Sequence, residues 1–362
     1  MKRIFVLIVL ITLIMTSGCE EQPTEQSIHL TTGKLGMWIN PKEGDMAHYD
    51  EALSLAREAQ IQLAHVYVQW GLVEKSRDEY DWEVPDYILG KFEKYGFEAV
   101  VVIPIIFTTK LDVMPSDIQF TGFSDPDVVS RFVTFSETLL ERYKSTVKYL
   151  VIGNEVDIYL ATYPEHITDF KALVEAVARV SDVPVGTELA IHSVVQSKTQ
   201  DIAQKVIAGD MVFYTLYPTG ENFSFGGDVE DAADYFDAMF TLAGTKKIAV
   251  VETSWSSSPN LESSEETQAR YITELFQILT QNRDRIEFLM WITLYDSIPQ
   301  QCEESAKFFV TGVNDQILND STLMGRFAEF MCYLGLRSAD GTPKPAWYQW
   351  LAEVEAYYTS LQ

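Results

Sequence analysis

Two stretches of this chain end an apolar run on a carboxylate. "VIGNEVDIYL", Val151 to Leu160, places Asn154 and Glu155 directly after a strand-like run, and "KKIAVVETSWSS" passes through four apolar residues before presenting Glu252. Burying even a neutral polar group without a partner costs roughly 2–7 kcal/mol, so two core-like strands that finish on Glu need a use for it. Such a pair suits acid and nucleophile chemistry, with one carboxyl donating a proton while the other attacks as an anion. Glu188, in "VGTELAIH", is the rival carboxylate and reads as a rim or structural residue. His192, just beyond it, reads as a hydrogen-bonded loop histidine.

The elements that must position these groups alternate along the chain. Apolar, β-rich runs fall at residues 35–39, 64–69, 99–106, 149–153, 183–189, 211–216, 248–251 and 288–293. Segments such as "HYDEALSLAREAQ", "DPDVVSRFVTFSETLLERYK", "TDFKALVEAVARVS" and "EETQARYITELFQILTQNR" lie between them. Each of these carries apolar residues at three- and four-residue spacing, which predicts amphipathic helices. Ser124-Asp125-Pro126 and Thr168-Asp169 read as N-terminal caps. Eight strands separated by helices predict a parallel sheet, and the chain length favours a closed (β/α)8 barrel of the α/β class, one domain over residues 34–362. No GxGxxG or GxxxxGK[ST] points to a nucleotide-binding open sheet instead. Barrel active sites lie at the C-terminal ends of the strands. Glu155 and Glu252 close strands four and seven there, across the mouth from each other.

Two carboxylates facing each other in this way suit glycoside hydrolysis, and about 5–5.5 Å between them would give retention of configuration. "IGNEV" and "VVETSW" resemble the strand-four and strand-seven ends of the clan A retaining glycoside hydrolases. "WGLVEKSRDEYDW", Trp70 to Trp82, resembles the loop after strand two of β-galactosidase and xylanase relatives. "TLYP" resembles the strand-six element of endo-galactanases, and "GLRSADGTPKPAWYQW" the final loop and helix of these barrels. The resemblance spans essentially all of the mature chain. It implies Glu155 as acid/base, Glu252 as nucleophile, Asn154 as hydrogen-bond partner of the sugar 2-hydroxyl and Tyr217 as donor to Glu252. It also implies that Trp291 stacks on the sugar at the cleaved bond. Trp38, Trp70 and Trp255, near other strand ends, are further stacking candidates. Relatives carry an Arg near the end of strand two; "LAHVYVQW" has none, and His65 is the only basic residue there.

The resemblance predicts a retaining β-glycosidase that needs no cofactor or metal and acts on oligo- or polysaccharide as a monomer. The alternative is a carbohydrate-binding protein that kept the barrel and lost turnover. A metal-dependent barrel hydrolase would need a His/Asp cluster, and no His-x-His occurs. A net charge of −26 argues against nucleic acid as partner. At the N-terminus, Lys2, Arg3 and the apolar residues 4–15 read as a signal peptide over 1–18. "TSGC" resembles a bacterial lipobox, which implies lipidation at Cys19, a tether over 19–33 and a membrane-anchored protein outside the cytoplasm; the alternative is simple secretion. Cys302 and Cys332 remain, an even pair that could form a disulfide in that compartment.

Overall fold

The computed structural model describes residues 30, 32–311 and 315–361, with the side chains of 315 and 316 excepted. The signal peptide, Cys19 and most of the tether therefore lie outside the described residues. Eight parallel strands close into a barrel: β1 (Lys34–Met37), β2 (Leu63–Tyr67), β3 (Glu98–Phe107), β4 (Val147–Asn154), β5 (Val185–Ala190), β6 (Val212–Leu216), β7 (Ile248–Thr253) and β8 (Ile286–Trp291). Each strand pairs with its sequence neighbour, and β8 closes on β1 with Lys34 opposite Phe288. The outer layer is α1 (Tyr49–Glu58), α2 (Glu83–Tyr95), α3 (Pro126–Arg142), α4 (Ile167–Ala178), α5 (Gln200–Val206), α6 (Ala232–Ala243), α7 (Glu265–Gln281) and α8 (Pro345–Ser360).

Strand alternation divides the apolar residues into two cores. Inside the barrel, Leu63, Val100, Val102, Tyr149, Val151, Phe213, Ala249, Val251, Phe288 and Met290 fill one cluster. Their outward neighbours, such as Val101, Leu150, Ile152, Tyr214 and Val250, pack beneath the helices. Gly36 faces Met290, whose Cγ would lie 2.5 Å from a Cβ placed there, so any larger residue would force Met290 to shift in the inner layer.

The helix signals hold in part. Asp125 caps α3, accepting from the Asp127 amide with Pro126 in the first turn. Thr168 and Asp169 do not cap α4; they fall inside its first turn, which starts at Ile167. A long segment between β8 and α8 adds the helices Pro299–Val310 and Ser321–Cys332, which the sequence reading did not separate. A Cys302–Cys332 disulfide ties them together.

Candidate active site

The strand-four end turns on glycine. Gly153 has φ +80°, and a Cβ there would meet Val156 Cγ1 at 2.3 Å. The outward parity of Leu150 and Ile152 breaks at this kink, and Asn154 swings to bond Glu188 on the neighbouring strand β5. Glu155 follows with φ 47° and ψ 46°, a left-handed conformation that disfavours a residue with a side chain. Such strain costs on the order of 1–3 kcal/mol and tends to mark functional positions.

Strand seven uses a bulge. Its register against β6 shifts between Val250 and Glu252, so Glu252 pairs with Thr215. The shift lets Glu252 reach the mouth although Val251 already faces the barrel interior. Glu252 accepts from Tyr67 Oη at 2.6 Å on one carboxylate oxygen and from Tyr217 Oη at 2.9 Å on the other. Thr215, the register partner of Glu252, donates at 2.6 Å to Glu155. The two expected carboxylates are therefore neighbours at the same end of the barrel, close enough for the charge of Glu155 to act on Glu252.

A third carboxylate lies beneath them. Asn154 Nδ2 donates to Glu188 Oε1 at 2.6 Å, and Asn154 Oδ1 accepts from Thr108 Oγ1 at 2.8 Å. These two bonds fix which end of the Asn154 amide is the donor and leave its second N–H for a ligand. Glu188 is wholly buried and its Oε2 has no partner, so of the rim and structural readings it fits the second.

The electrostatics follow from burial. Burial pushes the Glu252 carboxyl up to about 7; the Tyr67 bond opposes this, the Glu155 charge adds to it, and the Tyr217 bond opposes it again. Burial, then the charges of Glu252 and Glu155, push the Glu188 carboxyl well above its ordinary value, against the Asn154 bond. His65 Nε2 stands 3.9 Å from Glu252, beyond hydrogen-bond reach, and burial pulls this imidazole down to about 3. His65 is therefore uncharged and does not replace the Arg of the resembling enzymes. Tyr67 is the residue that the sequence reading missed. It follows His65 by two positions on β2, so strand alternation sends both to the interior. His192 Nδ1 is buried without a partner, and burial lowers its basicity against the opposing charge of Glu155.

The tryptophans divide. Trp38 stands beside Tyr67, 6.4 Å between ring centroids, and is 42% exposed at the mouth. Trp291 does not reach the cleft. Phe288 and Met290 take the inward positions of β8, so Trp291 faces the helices, donates to Leu334 O at 2.9 Å and packs on Trp350. Trp70 is buried against Phe132 and donates to Glu74, itself clasped by Arg131. Trp255 is buried between Phe225 and Tyr271 and donates to Ser263. All three are packing residues, and their indole N–H groups are spent inside the protein.

Comparison with known proteins agrees on architecture. No family model matches the chain. It is 25% identical over 221 residues to the aryl-phospho-β-D-glucosidase BglA of Bacillus subtilis, a match covering 58% of this chain. The chain spans only 45% of the length of that curated relative. Among solved structures, a GH5_18 from Bifidobacterium longum subsp. infantis superposes with a TM-score of 0.67 at 14% identity, covering 91% of this chain and 80% of its own. A family 39 glycoside hydrolase from Bacteroides cellulosilyticus WH2 gives 0.54 at 15% identity, with 88% and 63% covered. Xylanase 10B from Thermotoga maritima gives 0.57 at 12% identity, with 91% and 95% covered. The chain has the (β/α)8 barrel fold that these glycoside hydrolases share.

Proposed function

We propose that this chain is a retaining β-glycoside hydrolase acting on oligo- or polysaccharide. The observation that carries the reading is that Thr215, the register partner of Glu252, donates to Glu155, which brings the two carboxylates together at the C-terminal end of the barrel. The glycosidase barrels and the partial match to an aryl-phospho-β-D-glucosidase support it.

In this mechanism Glu155 protonates the glycosidic oxygen while a carboxylate oxygen of Glu252 attacks the anomeric carbon, and the aglycone leaves as an alcohol. Glu155 then takes a proton from water, whose oxygen displaces Glu252 from the glycosyl ester. Esterification removes the Glu252 charge between the two steps, which lets one carboxyl serve first as acid and then as base. Tyr67 and Tyr217 hold Glu252 in line for attack. The free N–H of Asn154 binds the sugar 2-hydroxyl, a contact that strengthens at the transition state. Trp38 offers its exposed face to sugar.

The N-terminal residues extend the proposal to an exported protein lipidated at Cys19 and anchored to the membrane on the extracytoplasmic side. The Cys302–Cys332 disulfide supports an oxidising compartment.

A panel of aryl β-glycosides tests the activity. Wild type turns over at least one of them, and Glu252→Gln and Glu155→Gln each lose about 10²–10⁴-fold. Glycan binding without turnover by wild type would instead identify a non-catalytic binding protein.

A further inference from the structure

The segment between β8 and α8 crosses the barrel mouth. Gln301 on its first helix reaches Glu43 O after β1, and Lys110 after β3 donates to Phe308 O at 2.9 Å. Arg326 on its second helix donates to Asn222 O after β6 at 2.7 Å and pairs with Glu262 after β7 at 2.7 Å. β3 and β7 lie on opposite sides of the closed sheet, so a segment tied to both must pass over the opening. The disulfide holds its two helices to each other.

The residues on the underside form a continuous aromatic arch. Ring centroids run from Tyr67 to Phe107 at 5.3 Å, to Phe309 at 5.4 Å, to Phe327 at 6.4 Å, to Phe330 at 6.1 Å and to Tyr217 at 5.3 Å. The two ends of this arch are the phenols that bind Glu252. Glu252 and the arch thus close a ring of contacts, and Glu252 is only 8% exposed. Glu155, at the end of β4 next to Asn154, whose register partner is Phe107 of the arch, is half-buried.

From this closure we propose that the arch roofs a blind glycone pocket, so that the enzyme removes single sugars from chain ends rather than cutting within chains. The proposal rests on the glycosidase reading and deepens it. A sugar held by Glu252 lies under aromatic rings, whose apolar faces match the C–H faces of a pyranose. A polymer cut internally would have to continue past that sugar, through the arch. The aglycone instead extends toward the open Glu155 side.

The test uses wild-type enzyme and oligosaccharides of the sugar selected by the aryl-glycoside panel, labelled at the reducing end. One set has a free non-reducing terminus and the other carries a benzylidene cap there. Free substrates shorten one sugar at a time, and capped ones are cut at least about 100-fold more slowly because the cap clashes with the pocket wall. Phe309→Ala narrows that gap. Internal fragments or equal rates on both sets from wild type, while aryl glycosides are hydrolysed, would overturn the arch and leave the glycosidase standing. An unchanged gap in Phe309→Ala would overturn the arch as the cause of end selection. No hydrolysis of any aryl β-glycoside would remove the glycosidase reading and this inference with it.

Discussion

Tyr67 on β2 donates its phenol to Glu252 on β7 at 2.6 Å, so an uncharged donor occupies the strand end where the resembling enzymes carry an Arg. With Tyr217 on the other oxygen, Glu252 is held by two hydroxyls, and the nearby His65 is neutral. A hydrogen bond to a charged group contributes about 1.5–3 kcal/mol, which corresponds to roughly 10–100-fold in rate. Tyr67→Phe therefore lowers kcat/KM by roughly that factor in steady-state assays with an aryl β-glycoside. A variant with unaltered kcat/KM would mean that the phenol does not hold the nucleophile.

The same pair sets the pH dependence. Glu252 must be ionised to attack, and burial places its pKa at about 7. The acidic limb of kcat/KM, which reports the free enzyme, therefore rises through about pH 7 rather than near 4.5. Tyr67 and Tyr217 both favour the anion, so Tyr67→Phe or Tyr217→Phe moves the limb to higher pH. A limb that moved down in either variant would contradict these roles.

Folding stability responds to the same group. The folded-state pKa of Glu252 lies above its unfolded value, so the folded state binds more protons and stability falls as pH rises between roughly 4.3 and 7. Glu252→Gln removes that loss. Thermal melts of the variant should exceed wild type by more at pH 8 than at pH 5, and equal differences at both would refute the shift.

Glu188 acts as an acceptor for Asn154 and not as a second base. Glu188→Gln keeps an acceptor on Asn154 and retains most activity, whereas Glu188→Ala leaves the Asn154 N–H unpaired at a cost of about 1–3 kcal/mol and lowers kcat. Paired kcat and pH profiles check this. An equally inactive Glu188→Gln would show that its ionised form is needed.

The barrel was legible because its signals are periodic. Eight apolar runs and the helices between them come from local patterning, and the Glu155 and Glu252 strand ends followed from their order. The face of a strand is harder to read. In "IEFLMW" every residue but Glu287 is apolar, so nothing local says that Met290 points in and Trp291 out. The bulge at Glu252 and the kink at Gly153 likewise depend on neighbouring strands. Tyr67 was hidden by the search for a charge, since a phenol fills the place of a guanidinium. Phe309 and Phe327 gave no sign of their place because their helices are positioned by long-range contacts, the disulfide and the bonds to distant loops.

Trp291 provides the check on that correction. Trp291→Phe loses the bond to Leu334 O and some packing volume, so it lowers stability by about 1–3 kcal/mol in denaturant melts. Its KM for an aryl glycoside stays at the wild-type value. A raised KM at unchanged stability would return Trp291 to the sugar site.

The most direct test is covalent trapping. A 2-deoxy-2-fluoro β-glycoside with a good leaving group slows the second step, so the ester accumulates and can be located by mass spectrometry of peptides. The account predicts inactivation with the sugar mass on the peptide carrying Glu252, and none in Glu252→Gln. Label on Glu155 or Glu188, or an inverted product from unmodified enzyme, would contradict it.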